Sequence, residues 1–221
     1  MEGNAISIGA GKLQGIDLNV PGDFSAAAFL IAAALLVPGS DLVFNHLGIN
    51  PTRTGFLDAI RNMGARVKIT GEKEICREPV ASLRIQSSEL RAVEISGPQM
   101  PRLIDELPIL AVLATQAHGQ TIIRDAGELR VKESDRLHLL ASNLKKMGAN
   151  VEELPDGLVI HGPTPLRGAE ITSAGDHRLV MAFAIAGLIA QDATRIHDAE
   201  SIGVSFPDFF DTLHSLGVDC G

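Results

Sequence analysis

Three stretches of this chain are apolar on almost every side: 26–37, with Phe29, Leu30 and Ile31, a second around Leu110, Val112 and Leu113, and a third around Met181, Phe183 and Ile185. A helix without a polar stripe belongs in a protein interior, so each stretch predicts a buried helix. Other segments keep their apolar residues at spacings of three and four, as at Leu137, Leu140, Leu144 and Met147, and predict amphipathic helices that cover the outside. Alternation over 82–86 and 157–161 predicts strands.

These elements recur in one order, which marks an internal repeat. The first copy runs from Gly22-Asp23-Phe24-Ser25 through the Ala-rich helix to a strand at 41–44, the loop Pro51-Thr52-Arg53-Thr54, a helix over 55–63 and a closing strand at 64–69. The second has Ile104-Asp105-Glu106-Leu107-Pro108, a helix through Ala117, a strand at 120–123, a loop at 127–131, a helix ending at Met147 and a closing strand at 148–151. The third has Gly175-Asp176-His177-Arg178, a helix through Ala190, a strand at 194–196, Ser205-Phe206-Pro207, a helix to Leu216 and a closing strand at Gly217-Val218. A Gly follows each second helix, where a left-handed residue ends a helix at little cost. The expectation is one α/β domain of three units about a pseudo-threefold axis, roughly 17–95, 96–165 and 166–221. Its buried helices run parallel and its sheets face solvent.

Composition narrows the class. With 221 residues and 45% hydrophobic content the chain can bury a full core. The net charge of -8, without a basic run, leaves no footprint for a nucleic acid. Cys76 and Cys220 stand far apart and form no CxxC pair, so neither a disulfide framework nor a zinc site is expected. The apolar run 26–37 is too short to span a bilayer, and Met1-Glu2-Gly3-Asn4 leads into no signal sequence. A reducing cytoplasmic setting, no membrane and no metal are the expectations.

The candidate chemistry lies at the helix starts. Parallel buried helices turn their free N–H groups and positive dipole ends to one side, where anions are attracted. In Arg130-Val131-Lys132-Glu133-Ser134-Asp135-Arg136, Lys132 and Arg136 stand four apart, on one face if the turn is helical. Either an anion joins them or the segment is a solvated first turn with a Glu133–Arg136 ion pair; the cluster alone leaves both open. Asp105, three residues before Pro108, reads as a helix N-cap, as do Asp23 and Asp176 at the same place in the repeat. His177 and Arg178 begin an otherwise apolar helix and point to a ligand contact or to a pair with a neighbouring Asp. Thr52-Arg53-Thr54, which matches the Lys132 loop in position, could contact a ligand but reads first as a structural turn. No GxGxxG, Walker loop, nucleophile elbow or metal-ligand spacing occurs.

The stretch Glu128-Leu129-Arg130-Val131-Lys132-Glu133-Ser134-Asp135-Arg136 closely resembles a motif of the 5-enolpyruvylshikimate-3-phosphate synthases. Gly22-Asp23-Phe24-Ser25-Ala26-Ala27, Asn50-Pro51-Thr52-Arg53-Thr54-Gly55, Ile104-Asp105-Glu106-Leu107-Pro108, Asp176-His177-Arg178 and Ser205-Phe206-Pro207 resemble the same family in its order, in particular its glyphosate-tolerant bacterial branch. The resemblance implies the carboxyl-terminal of two domains, each of three βαβαββ units in an inside-out α/β barrel, with the amino-terminal domain absent and the chain inactive alone. It implies transfer of the enolpyruvyl group of phosphoenolpyruvate to the 5-hydroxyl of shikimate 3-phosphate, with release of phosphate and without a cofactor. Asp105 would hold the shikimate hydroxyls and act as base, and Glu133 would be the proton donor. Lys132 would touch shikimate phosphate or the reacting centre, Arg136 and Arg178 would clamp phosphoenolpyruvate, and His177 would be their neighbour. Two positions depart from some members: Val204 stands where they carry a Lys, and Glu128 where they carry an Asn. The UDP-amino-sugar enolpyruvyl transferases and a non-catalytic phosphoenolpyruvate-binding module are the alternatives.

Overall fold

The computed structural model describes residues 7–219; the amino-terminal residues 1–4 and Cys220 discussed above lie outside the described residues. The first unit contains α1 (Phe24–Leu36), β1 (Asp41–Gly48), α2 (Gly55–Asn62) and the hairpin β2 (Arg66–Ile75) and β3 (Glu78–Gln86). The second contains β4 (Glu94–Ile95), 3-10 turns at Gly97–Arg102 and Ile104–Glu106, α3 (Leu107–Gln116), β5 (Gly119–Ile123) and a 3-10 turn at Gly127–Val131. It continues through α4 (Arg136–Lys146) and the hairpin β6 (Asn150–Leu154) and β7 (Gly157–Gly162). The third has β8 (Glu170–Thr172), α5 (His177–Gly187), β9 (Arg195–His197), a 3-10 turn at Ala199–Val204 and α6 (Phe209–Ser215).

The helices without a polar stripe are the interior. α1, α3 and α5 each contact the other two, and α3 is buried from Leu107 to Thr115. Around them stand an antiparallel sheet in the order β1-β3-β2, a sheet in the order β4-β5-β7-β6 and the pair β8-β9. The strand before each buried helix runs parallel to the strand after it: Ile95 pairs with Ile123, Ile171 with Ile196, and in the first unit Gly22 alone bridges Leu47. α4 turns Leu137, Leu140 and Leu144 inward.

The glycines after α2, α4 and α6 are all left-handed, at φ +91° for Gly64, +88° for Gly148 and +90° for Gly217. In each case the following amide returns to a carbonyl five residues back, Ala65 to Ile60, Ala149 to Leu144 and Val218 to Leu213, which closes the helix in a Schellman turn. The expected strand at Gly217-Val218 does not form. Gly217 is in a turn and Val218 has no regular structure, because no hairpin partner follows among the described residues, whereas β2 and β6 pair with β3 and β7.

Before each buried helix the chain repeats Leu, four residues, then an aliphatic residue. Leu90 and Ile95 are 2% and 1% exposed and Leu166 and Ile171 1% and 0%, whereas their counterparts Leu13 and Leu18 are 100% and 61% exposed. The segment ahead of Gly22 does not dock as β4 and β8 do.

Candidate active site at the starts of the buried helices

Side chains from all three helix starts meet. Ser25, in the first turn of α1, donates its hydroxyl proton to the carboxylate of Glu106, the N-cap residue of α3. Arg178, in the first turn of α5, lies 3.6 Å from Asp105 Oδ2 and donates through Nη1 to the Asp105 carbonyl oxygen at 3.1 Å. Ser25 also shares a small pocket with His177, Arg178, Ser205 and Phe206. Arg53, on the loop before α2, reaches in from the side: its Nη2 lies 3.6 Å from Asp105 Oδ2 and donates to Ser25 Oγ at 3.0 Å.

Asp23 and Asp176 are N-caps, accepting from the amides of Ser25 at 2.8 Å and Arg178 at 3.0 Å. Asp105 is not. It sits inside the 3-10 turn Ile104–Glu106 and its carboxylate makes no cap bond. That turn carries the chain into α3 one residue later, so the Asp105 side chain is left facing two guanidinium groups.

The Lys132 cluster differs from the shared helical face considered above. α4 begins after Asp135, which caps it by accepting from the His138 amide at 3.0 Å. Lys132 lies before that start in an extended conformation, and its amine pairs with Glu128 at 2.6 Å. Lys132 and Arg136 therefore do not share a helical face, and no anion is needed to hold them together. Arg136 is 1% exposed. It donates from Nε to Asp176 Oδ2 at 2.7 Å, from Nη2 to Asp176 Oδ1 at 3.2 Å and from Nη2 to Glu133 Oε2 at 2.6 Å. Ser134 adds a hydroxyl donor to Asp176 at 3.0 Å. The Glu133–Arg136 pair exists, but it joins a half-exposed carboxylate to a buried guanidinium.

These surroundings move three titrations. Burial pushes the Asp176 carboxyl up, but the Arg136 bonds and charge, the Ser134 hydroxyl and the Arg178 amide outweigh it and the net shift is downward. Burial raises the Glu106 carboxyl, opposed by the Ser25 bond and by the charges of Arg178 and Arg53. Burial, then the Arg178 charge, lowers the His177 imidazole against the pull of Asp176 and Glu133.

A chain of contacts thus links Asp105 to Arg178, Arg178 to Asp176, Asp176 to Arg136 and Arg136 to Glu133, joining the starts of α3, α5 and α4, with His177 beside Arg178. Ser25 and Glu106 contact this network and were not singled out as ligands, and Arg53, from the loop read above as a turn or a ligand contact, reaches it as well. The reasoning applied to His177 and Arg178, that polar groups beginning an apolar helix need a partner, would have found Ser25. Val204 is 83% exposed beside Ser205 and Phe206, and Glu128 is occupied by Lys132. Among the described residues, no group of three or more His, Cys, Asp or Glu side chains could hold a metal ion. A wider depression of about 500 Å³, lined by Lys146, Gly148, Pro165, Arg167 and Gln191, lies at the far end of α4 and contains none of these groups.

The buried helices and the sheets around them form an α/β domain with the fold of an enolpyruvyl transferase. The fold of the enolpyruvyl transferase NikO from Streptomyces tendae is similar over 88% of the chain and 43% of that chain, with a TM-score of 0.71 and 23% identity. More specifically, the chain belongs to the EPSP synthase (3-phosphoshikimate 1-carboxyvinyltransferase) family, whose model matches residues 2–213. It is 53% identical to a 3-phosphoshikimate 1-carboxyvinyltransferase of Desulforudis audaxviator over 94% of this chain and 48% of the relative. A protein of the same name from Brevibacillus brevis is also 53% identical, over 96% of this chain and 50% of that protein. An EPSP synthase structure from Acinetobacter baumannii superposes with a TM-score of 0.89 at 39% identity, over 94% of this chain and 48% of that chain. The chain spans about half the length of the curated relatives it matches. No helix among the described residues is long and apolar enough to cross a membrane.

Proposed function

We propose that this chain is the carboxyl-terminal domain of a two-domain enolpyruvyl transferase, working in the cytoplasm. It joins phosphoenolpyruvate to the 5-hydroxyl of shikimate 3-phosphate with an amino-terminal half that supplies the rest of the site. The observation that carries this reading is the Asp105–Arg178 contact across the starts of α3 and α5, with the Glu133–Arg136 pair tied to the same α5 start through Asp176. In the reaction the hydroxyl oxygen adds to C2 of phosphoenolpyruvate while C3 gains a proton; loss of phosphate and of a C3 proton then restores the vinyl group. Asp105 takes the hydroxyl proton. Glu133, half exposed, gives and reclaims the C3 proton. Arg178 meets an anionic group of phosphoenolpyruvate with His177 lining the pocket beside it, and Arg136, buried against Asp176, meets another by exchanging its half-exposed partner Glu133. Lys132 reaches substrate phosphate by exchanging its partner Glu128, an exposed pair worth only about 0–1 kcal/mol.

The second and third units, each a buried helix flanked by parallel strands, and the first, where Gly22 alone bridges Leu47, support a pseudo-threefold inside-out α/β barrel. The ordered motifs from Gly22 to Pro207 support the glyphosate-tolerant branch, and the departures at Val204 and Glu128 bear on that assignment more than on activity. The family match favours shikimate 3-phosphate over a UDP-amino sugar as acceptor. The half-length coverage favours silence of the chain by itself, so that alone it acts as a binding module.

The test is phosphate release from phosphoenolpyruvate plus shikimate 3-phosphate. Turnover is expected only when an EPSP synthase amino-terminal half is added, and Glu133→Gln should abolish it without changing the fold. Silence in a demonstrably associated mixture would refute the reading.

A further inference from the structure

Glu106 is 1% exposed, yet the reaction above gives it nothing to do. It follows Asp105 in the same 3-10 turn, and the two carboxylates serve different surroundings: Asp105 faces solvent and two guanidinium groups, Glu106 faces the interior and Ser25. Ser25 has a single hydroxyl proton. Given to Glu106, it leaves the Ser25 oxygen as a pure acceptor toward Arg53, whose Nη2 approaches to 3.0 Å. The same Nη2 lies 3.6 Å from Asp105.

We propose that Glu106 is a positioning residue, which acts through Ser25 to hold the Arg53 guanidinium across Asp105 and so to fix the carboxylate that serves as base. Only the role of Asp105 in this statement rests on the enolpyruvyl-transfer reading; the geometry does not.

Arg53 needs such an anchor. Its side chain is 52% exposed and comes from a loop. A mobile arginine gives up most of its rotamer freedom when pinned, and a 3.6 Å pair at the surface does not offset that. The Ser25–Glu106 bond does, because it is made where water is excluded and a hydrogen bond polarises its neighbour most strongly. The groups acting on Glu106 come from separate elements: Ser25 from α1, Arg178 from α5, Arg53 from the loop before α2 and Asp105 from its own turn.

Glu106→Gln keeps an acceptor for the Ser25 hydroxyl, whereas Glu106→Ala and Ser25→Ala remove the anchor. In the chain alone, the NMR signal of the Arg53 Nε–H should be ordered in the wild type and in Glu106→Gln and broadened or lost in the two alanine variants, with urea midpoints identifying any variant that has unfolded. In a mixture with an EPSP synthase amino-terminal half, Ser25→Ala should lower kcat about tenfold or more, since small misplacements of a reacting group cost that much, and Glu106→Gln should stay within about threefold of wild type. An Arg53 signal that remains ordered in a folded Ser25→Ala or Glu106→Ala variant overturns the proposal. A wild-type mixture without turnover would instead count against the enolpyruvyl-transfer reading, and the Arg53 signal would still decide the positioning role.

Discussion

Removing the Asp176 carboxylate should be the most damaging single change at this site. Arg136 and Asp176 are 1% and 0% exposed and joined by two hydrogen bonds. Asp176→Ala leaves a buried guanidinium whose one remaining carboxylate partner, Glu133, is half exposed. Stranding one member of a buried pair costs about 3–5 kcal/mol. The same substitution deletes the N-cap of α5, worth ~1 kcal/mol. Glu133 offsets part of the sum, so about 3–5 kcal/mol is the expected loss, a fall in Tm of ~10 °C for a domain of this size. Urea unfolding at pH 7 reads it directly. Replacing both partners by apolar residues, Arg136→Met with Asp176→Leu, should recover much of the loss, because a well-packed apolar pair is often no less stable than a buried ion pair. The pH dependence has a definite sign. The folded Asp176 carboxyl titrates below its ordinary value, so its contribution is present above the ordinary carboxylate range and is lost as pH falls through the folded value. The gap between wild type and Asp176→Ala should stay constant from about pH 7 to 5 and narrow below about pH 4. A loss under about 1 kcal/mol at pH 7 would show that Glu133 and water already satisfy Arg136, and the account of the buried pair would be wrong.

Two further outcomes follow from the site and its frame. His177 titrates below its ordinary value and is neutral at pH 7.5, so His177→Gln should change the affinity of the associated halves for phosphoenolpyruvate less than about twofold there. Its contribution to stability is complete above the ordinary histidine value and is lost as pH falls through the folded one; a tenfold affinity loss in calorimetry at pH 7.5 would contradict the neutral assignment. Gly157 opens β7 where an added Cβ would stand 1.9 Å from the Ile123 carbonyl oxygen. Gly157→Ala must therefore push β7 from β5, and a urea midpoint unchanged from wild type would mean that the strands give way more easily than a packed sheet should.

The periodic elements were legible without coordinates. An apolar stretch such as 107–115 has nowhere to go but the interior, and a stripe such as Leu137, Leu140 and Leu144 has one face to bury. The left-handed glycines after α2, α4 and α6 were equally plain, because the conformation that ends each helix suits glycine above other residues. The site residues were visible as types and order. Their partners were not: Asp105 reads as a cap and Lys132 as a neighbour of Arg136 until the 3-10 turn at Ile104–Glu106 and the late start of α4 turn them elsewhere.

Local pattern therefore determined the helices, their ends and which of them are buried, since those depend on backbone preference and on the burial of one segment at a time. Tertiary structure decided what no single segment contains. Leu13 and Leu18 carry the same spacing as Leu90 and Ile95 and as Leu166 and Ile171, yet only the last two pairs are buried. β4 and β8 follow strands, β3 and β7, that a sheet already holds, so little further chain freedom is lost when they dock. Among the described residues, the segment before Gly22 is paired into the sheet only through the Gly22–Leu47 bridge at its end, and docking would order all of it at once. The partners of Glu106 were decided in the same way: only the meeting of α1, α3 and the Arg53 loop gives a buried carboxylate its hydroxyl.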